Sequence, residues 1–413
     1  MDDAFLSTIA GRRGVVAGLA GIGAFAPDAF AQTLVDLGLP GGPTGRTITS
    51  AFPEKGPMIL QRMRPPLLET PIEVFDGPGV LTPNDRFFVR WHWADIPTAI
   101  DVSGFRLTVR GAVNRTLSLS LADILRDFPR VELTAINQCS GNSRGLFQPR
   151  VPGGQWAHGA MGNARWSGVR LRDILDKAGV KPGAVCVRFG GLDKPLTPNV
   201  DAFRKSLAVD HARDGEVMIA YAQNGEALPW LNGFPLRLVV PGWFSTYWVK
   251  MLDDIEVLDK PDSNYWMTKA YKLPDNPLAD VKPGATGFKT VPISTMVPRA
   301  WITNLAEDAV IPAGGNVAVR GLAMGGTQNV ARVDLSTDQG RTWLPAKLGP
   351  DEGRFSFRRF EASITLPPGP RVSIAARATN RAGETQPMAQ NWNPGGYRRA
   401  GVEAIRLTVG QGG

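Results

Sequence analysis

From about residue 290 onward, the periodic segments of the chain read as strands. "NVAVRGLAMGG", "NVARVDLSTDQGRTWLPAKL", "RFSFRRFEASITLPPG", "RVSIAARATNRAG" and "VEAIRLTVG" follow one another with glycine-containing turns between them. Alternate side chains of a strand face opposite ways, so such a run buries one face by packing sheet on sheet. The spacing predicts an immunoglobulin-like sandwich of about 120 residues, with Trp343 in its core.

Upstream, the pattern is different. Between about 85 and 260, short strands alternate with short helices. "FRLTVRG" alternates as a strand. "SLADILRDFP" has Ser120 as a helix cap, Asp123 at the capping-box position and Pro129 as a stop. "VRLRDILDKAGVKPG" predicts a second helix closed by Gly179 and Pro182, and "EVMIAYAQNGEALP" a strand entering an Asn224-Gly225 turn. The expected fold class is α+β, followed by the all-β region. Residues 32–80 and 267–315 are rich in Pro and Gly and read as mostly irregular.

The first 31 residues read as a targeting segment. Arg12 and Arg13 precede a Gly/Ala-rich apolar run, and Ala29-Phe30-Ala31 forms a small-x-small cleavage site before Gln32. A twin-arginine export signal fits, although Asp2 and Asp3 are unusual ahead of one. No later stretch is long and apolar enough to span a bilayer. The expected division is 1–31 signal, 32–290 catalytic domain and 291–413 β domain, with the mature protein in the periplasm. The net charge of +8 is scattered without a Lys/Arg run. Nucleic acid is therefore not an expected partner, and a distributed positive field suits small anions.

Cys139 is one of two cysteines in 413 residues. It sits in the polar loop "INQCSGNSRG", whereas Cys186 sits in the apolar strand "AVCVRF". Their contexts differ, so a disulfide between them is the lesser reading. A thiol in a polar, Arg-flanked loop suggests a nucleophile, a redox partner or a metal ligand. A nucleophile needs a base, and His92, His158 and His211 are the available imidazoles. No paired-ligand spacing for zinc is present. A single thiolate can bind a metal whose other ligands come from an organic cofactor. In "FFVRWHWADIP", Arg90 and His92 share one face of an extended segment, although a solvated strand would read the same way. Tyr271, in "NYWMTKAYKLPDNP", reads alone as a surface or packing residue.

Together these stretches resemble the sulfite oxidase family of molybdenum enzymes, in particular the bacterial periplasmic sulfite dehydrogenases that use cytochrome c. "FVRWH", "CSGNSR", "WSGVRLRDIL", "GLDKPL", "AYAQNGEALP", "GFPLRLVVPGW", "WVKMLDDIEV", "YWMTKAYKLP" and "VDLSTDQGRTW" carry the likeness through their order and spacing. The resemblance implies molybdenum on molybdopterin in a sulfite oxidase-type domain, with a β domain for association. Cys139 would be the thiolate on molybdenum. Arg90 and Tyr271 would face the sulfite, and Arg144 and Trp156 would line the anion pocket. Phe88, Val89, Trp91, His92, Asp193, Arg237, Trp248, Val249 and Lys250 match pterin-contacting positions. Asn232 stands where animal relatives have a pterin-binding His. No haem motif is present, so electrons would leave singly to a separate c-type cytochrome, a soluble partner or a subunit. A homodimer is the other association the resemblance allows. Within the same fold the alternatives are a sulfane dehydrogenase and an S-oxide or nitrate reductase. Outside it, the alternative is a non-enzymatic exported scaffold.

Overall fold

The capping box expected at Ser120 forms. The Asp123 N–H donates to Ser120 Oγ at 3.1 Å, and the Ser120 N–H donates back to the Asp123 carboxylate at 2.9 Å. The helix it starts is Leu121–Asp127. A second helix, Leu171–Ala178, turns Leu171, Ile174, Leu175 and Ala178 to the core and ends on left-handed Gly179. Met218–Gln223 turns into Glu226–Ala227 through Asn224 and Gly225, both at positive φ (54° and 84°), as a tight hairpin requires. These features belong to a computed structural model that describes residues 33–312, 315–366 and 369–410. The expected export signal lies outside the described residues.

Three main sheets build the first region. The N-terminal sheet runs Leu34–Asp36, Gly45–Thr49, Met58–Arg62, Leu67–Glu69 and Val89–Arg90 in sequence order. The reading of 32–80 as mostly irregular is therefore corrected. These strands hold two to five residues each, too few for a visible period, and pairing with neighbours is what orders them. A second sheet is centred on Cys186–Gly191 and Leu252–Leu258. In the third, Met161–Arg170 is paired on one side with Arg130–Gln138 and on the other with Met218–Gln223. Cys139 follows the last residue of Arg130–Gln138 directly. Its N–H donates to Ala160 O at 2.9 Å, so the thiol-bearing loop begins where the central hairpin ends.

The later region is mostly β, as expected. Arg299–Ile302, Asn316–Met324, Arg358–Thr365 and Lys347–Leu348 form one sheet. Ala309–Ile311, Glu403–Val409, Arg371–Asn380, Val330–Ser336 and Leu344–Pro345 form the other. Val319 and Phe360 from the first meet Val333, Leu335, Ile374 and Leu407 from the second in one core. Trp343 is not in that core. It precedes an edge strand, its indole donates to Gly340 O at 3.0 Å, and the Arg377 guanidinium lies 3.9 Å from its ring centroid. Trp301, Leu322, Phe355 and Phe357 instead join the core of the first region, so the two regions share buried surface.

Ser120→Ala should lower stability by about 1 kcal/mol, because the capping N–H groups lose their partner. A urea midpoint equal to wild type would show that packing alone holds this helix.

Candidate active site

Residues 88–92 are extended, and their side chains divide by alternation. Phe88, Arg90 and His92 line an inner cavity, while Val89 and Trp91 pack in a separate apolar cluster behind its wall. The segment 248–250 divides the same way: Trp248 and Lys250 face the cavity, and Val249 faces the core. Any contact of Val89, Trp91 or Val249 with a pterin is thus left to their backbone. Asp193 also does not line the cavity, but its charge lies close enough to influence Lys250. Cys139, Asn137, Ser140, Asn232, Arg237, Thr246 and Tyr271 complete the wall.

The cavity is lined with buried cations. Arg237 is 3% exposed. It donates to Asn232 O (2.8 Å) and Asn137 Oδ1 (2.9 Å) and lies 5.1 and 5.7 Å from the ring centroids of Trp166 and Trp248. Burial pulls its pKa down to about 9. Lys250 donates to Arg90 O at 2.8 Å, and its ammonium lies over Trp91. Burial pushes Lys250 down, while Asp193, itself pushed up by burial, acts in the opposite sense. Lys55 was not anticipated. Its ammonium donates to Asn84 O, Phe87 O and Asn232 Oδ1 at 2.8, 2.9 and 2.6 Å, and burial lowers its pKa to about 7. The other hydrogen bond of Asn232 runs from Nδ2 to Phe88 O at 3.0 Å.

Several buried polar atoms of lining residues have no partner: Arg90 Nη1, Asn137 Nδ2, Ser140 Oγ, Arg237 Nε and Thr246 Oγ1. Buried donors are normally satisfied. A wall with spare donors, excess positive charge and one thiol fits an anionic, acceptor-rich organic group carrying a thiophilic metal.

Tyr271 is not a surface residue. It is 6% exposed, sits at φ 55°, and stacks on Tyr397 of the second region with ring centroids 5.4 Å apart. Its hydroxyl is 2.5 Å from His92 Nε2. Burial, then Arg90 and Lys250, hold His92 well below its ordinary pKa, so the imidazole is neutral. Burial raises the Tyr271 phenol, so it keeps its proton. Behind the pair, Phe203 stacks on His92, and the buried Lys205 ammonium donates to Trp266 O at 2.8 Å.

An outer cavity of about 350 Å³ shares Arg90, Cys139, Ser140 and Tyr271 with the inner one and adds Arg62, Arg144, Trp156 and Tyr397. Arg144 donates to Gly395 O at 3.2 Å and lies 4.9 Å from the Tyr397 ring centroid. The glycines around it permit this approach. A Cβ on Gly141 or Gly153 would lie 2.5 or 2.8 Å from a guanidinium nitrogen. His158 and His211 are elsewhere, bonded to Ser143 and Asp214. The two cysteines are free, and Cys186 Sγ donates to Lys260 O at 3.4 Å.

Over 369 residues the chain is 33% identical to the sulfite oxidase of Gallus gallus, covering 86% of this chain and 79% of that protein. The chain belongs to the sulfite oxidase family. The mitochondrial sulfite oxidase of Homo sapiens is 35% identical over 347 residues, and the match spans 62% of the human protein. The crystal structure of the sulfane dehydrogenase SoxCD from Paracoccus pantotrophus superposes with a TM-score of 0.71 at 26% identity, over 93% of this chain and 92% of that one. The oxidoreductase molybdopterin binding domain family matches residues 93–266, and the Mo-co oxidoreductase dimerisation domain family matches 291–400. As in its family, the cofactor is molybdenum with molybdopterin, which the donor-rich, cationic wall suits.

Lys55 and Lys205 titrate near 7 when buried and near 10.5 when free. Between those values the unfolded chain binds more protons, so the cofactor-free protein should gain stability as pH rises from 7. Its melting temperature should climb between pH 7 and 9, and climb less in Lys55→Met. A flat profile in both would mean that these ammonium groups are hydrated.

Proposed function

We propose that the chain oxidises sulfite to sulfate and passes the electrons singly to an external c-type cytochrome. One observation carries the reading: the inner, cofactor-compatible cavity and the outer, arginine-lined cavity share the wall formed by Arg90, Cys139, Ser140 and Tyr271. A small anion in the outer cavity would thus sit beside the thiol. The match to sulfite oxidases supports the substrate.

In this reading Cys139 is the protein thiolate on molybdenum. Phe88, Asn137, Asn232, Arg237, Thr246, Trp248 and Lys250 hold the pterin. When bound, the molybdenum–pterin group supplies the two-electron oxidation, in which sulfite gains the oxygen of a water molecule and two protons are released. Arg90 and Arg144 bind the sulfite oxygens and stabilise charge that develops on them. In the tautomer that carries its proton on Nε2, neutral His92 donates to the Tyr271 oxygen, which frees the phenolic O–H to donate to a substrate oxygen. Trp156 and Tyr397 narrow the outer cavity and limit water.

The remaining assignments are also proposals. Residues 1–31 direct export of the folded protein to the periplasm, 32–290 form the catalytic domain, and 291–413 form an immunoglobulin-like domain that pairs two copies. Without the signal, which holds two arginines and three aspartates, the net charge is about +9. An acidic cytochrome face would be steered to such a surface, and the rate would fall with salt. A second reading, oxidation of a sulfane sulfur, draws on the likeness to the Paracoccus enzyme. Turnover with sulfite against thiosulfate-derived sulfane and nitrate separates the possibilities.

The direct test follows sulfite-dependent reduction of cytochrome c or ferricyanide beside an oxygen electrode. Rapid oxygen uptake without cytochrome reduction would overturn the acceptor. Cys139→Ser should lower activity by orders of magnitude with the fold kept, because a hydroxyl is a poorer metal donor than a thiolate. Cys186→Ser should retain most activity. Equal losses in both variants would count against a special role for Cys139.

A further inference from the structure

Three guanidinium groups meet at the outer cavity: Arg62, Arg90 and Arg144. Among the described residues, none of the three forms an ion pair. By contrast, surface arginines such as Arg110, Arg126, Arg320 and Arg406 are paired with carboxylates. Arg62 ends the strand Met58–Arg62 and is exposed, whereas Arg144 is buried. The one side-chain hydrogen bond of Arg62 goes from its Nε to Pro65 O at 3.3 Å. The lowering of its pKa by burial and by Arg90 shows that the two charges feel each other. The cavity therefore runs from exposed Arg62 at the rim through half-buried Arg90 to buried Arg144, and among the described residues no carboxylate lines it.

We propose that Arg62 is a specificity-determining residue at the mouth of the substrate site, selecting small oxyanions with two negative charges over those with one. The proposal rests on the reading of the outer cavity as the substrate site. Arg62 has no partner whose charge it must first give up. Its attraction for an incoming anion scales with the anion's charge, so a dianion such as sulfite or sulfate gains about twice what nitrate gains. Because the group is at the rim, it acts on capture rather than on the bond-making step.

The test compares wild type, Arg62→Gln, Arg62→Lys and Lys347→Gln, the last removing one positive charge from an exposed residue of the β region. Sulfate and nitrate binding is measured by calorimetry on the holoenzyme, with sulfite kinetics alongside. Arg62→Gln should weaken sulfate binding and raise the KM for sulfite about two- to fivefold at low salt, with kcat changed less than the KM. Nitrate binding should change less than sulfate binding. Arg62→Lys should stay near wild type, and so should Lys347→Gln. The difference between Arg62→Gln and wild type should shrink as salt is raised. Wild-type sulfate affinity and sulfite KM in an Arg62→Gln protein that melts normally would overturn the proposal. So would equal effects in Arg62→Gln and Lys347→Gln. If wild type binds sulfate but does not oxidise sulfite, the functional reading fails while the role of Arg62 is still decided by the binding constants.

Discussion

Buried positive charge governs this structure. Buried Arg237 and half-buried Arg90 and Lys250 line the inner cavity, buried Lys55 stands behind its Asn232, and Asp193 is a carboxylate whose charge reaches Lys250. Removing cations from water is costly unless they are paired or hydrogen-bonded. Here backbone carbonyls and indole faces compensate in part: Asn84 O, Phe87 O, Arg90 O and Asn232 O accept, and Trp91, Trp166 and Trp248 stack. The remaining deficit suits an anionic cofactor. Folding and cofactor binding are thereby linked, as for other sites whose ligand completes the charge balance.

The thiol-bearing loop depends on the second region as much as on the first. The Arg398 N–H donates to Ser140 O at 2.9 Å. Arg299 reaches Ser143 Oγ at 3.1 Å, and Arg399 reaches Leu146 O at 3.1 Å. Glu403 holds Arg299 and Arg399 together. Tyr397 closes the outer cavity and stacks on Tyr271. A region expected to serve association alone therefore also holds the loop after Cys139 and supplies part of the pocket wall.

Local signals were legible where the physics is local. The capping box at Ser120, the Gly179 stop and the Asn224-Gly225 turn each rest on bonds or φ values within a few residues. The polar setting of Cys139 and the Arg90–His92 face were legible for the same reason. The short strands of 34–69 were not, because three to five residues are too few to show a period and only pairing orders them. Of the two local readings of Tyr271, surface and packing, its own segment could not choose, because its burial depends on partners far away in the chain such as His92 and Tyr397. Lys55 and Arg62 were missed because they lie in a stretch with no motif, and only their reach to Asn232 and to the outer cavity gives them meaning.

By itself, then, the sequence determined the order of helix and strand signals, the change of pattern near residue 290 and the placing of one cysteine, Cys139, in a polar loop. It also carried the motif order shared with the sulfite oxidase family. Tertiary structure alone decided which side of each extended segment faces the cavity: Phe88, Arg90 and His92 against Val89 and Trp91, and Trp248 and Lys250 against Val249. Alternation sets two faces but does not say which is inside. That choice falls to packing between segments far apart in the chain, which also brings together arginines at positions 62, 90 and 144 around one cavity.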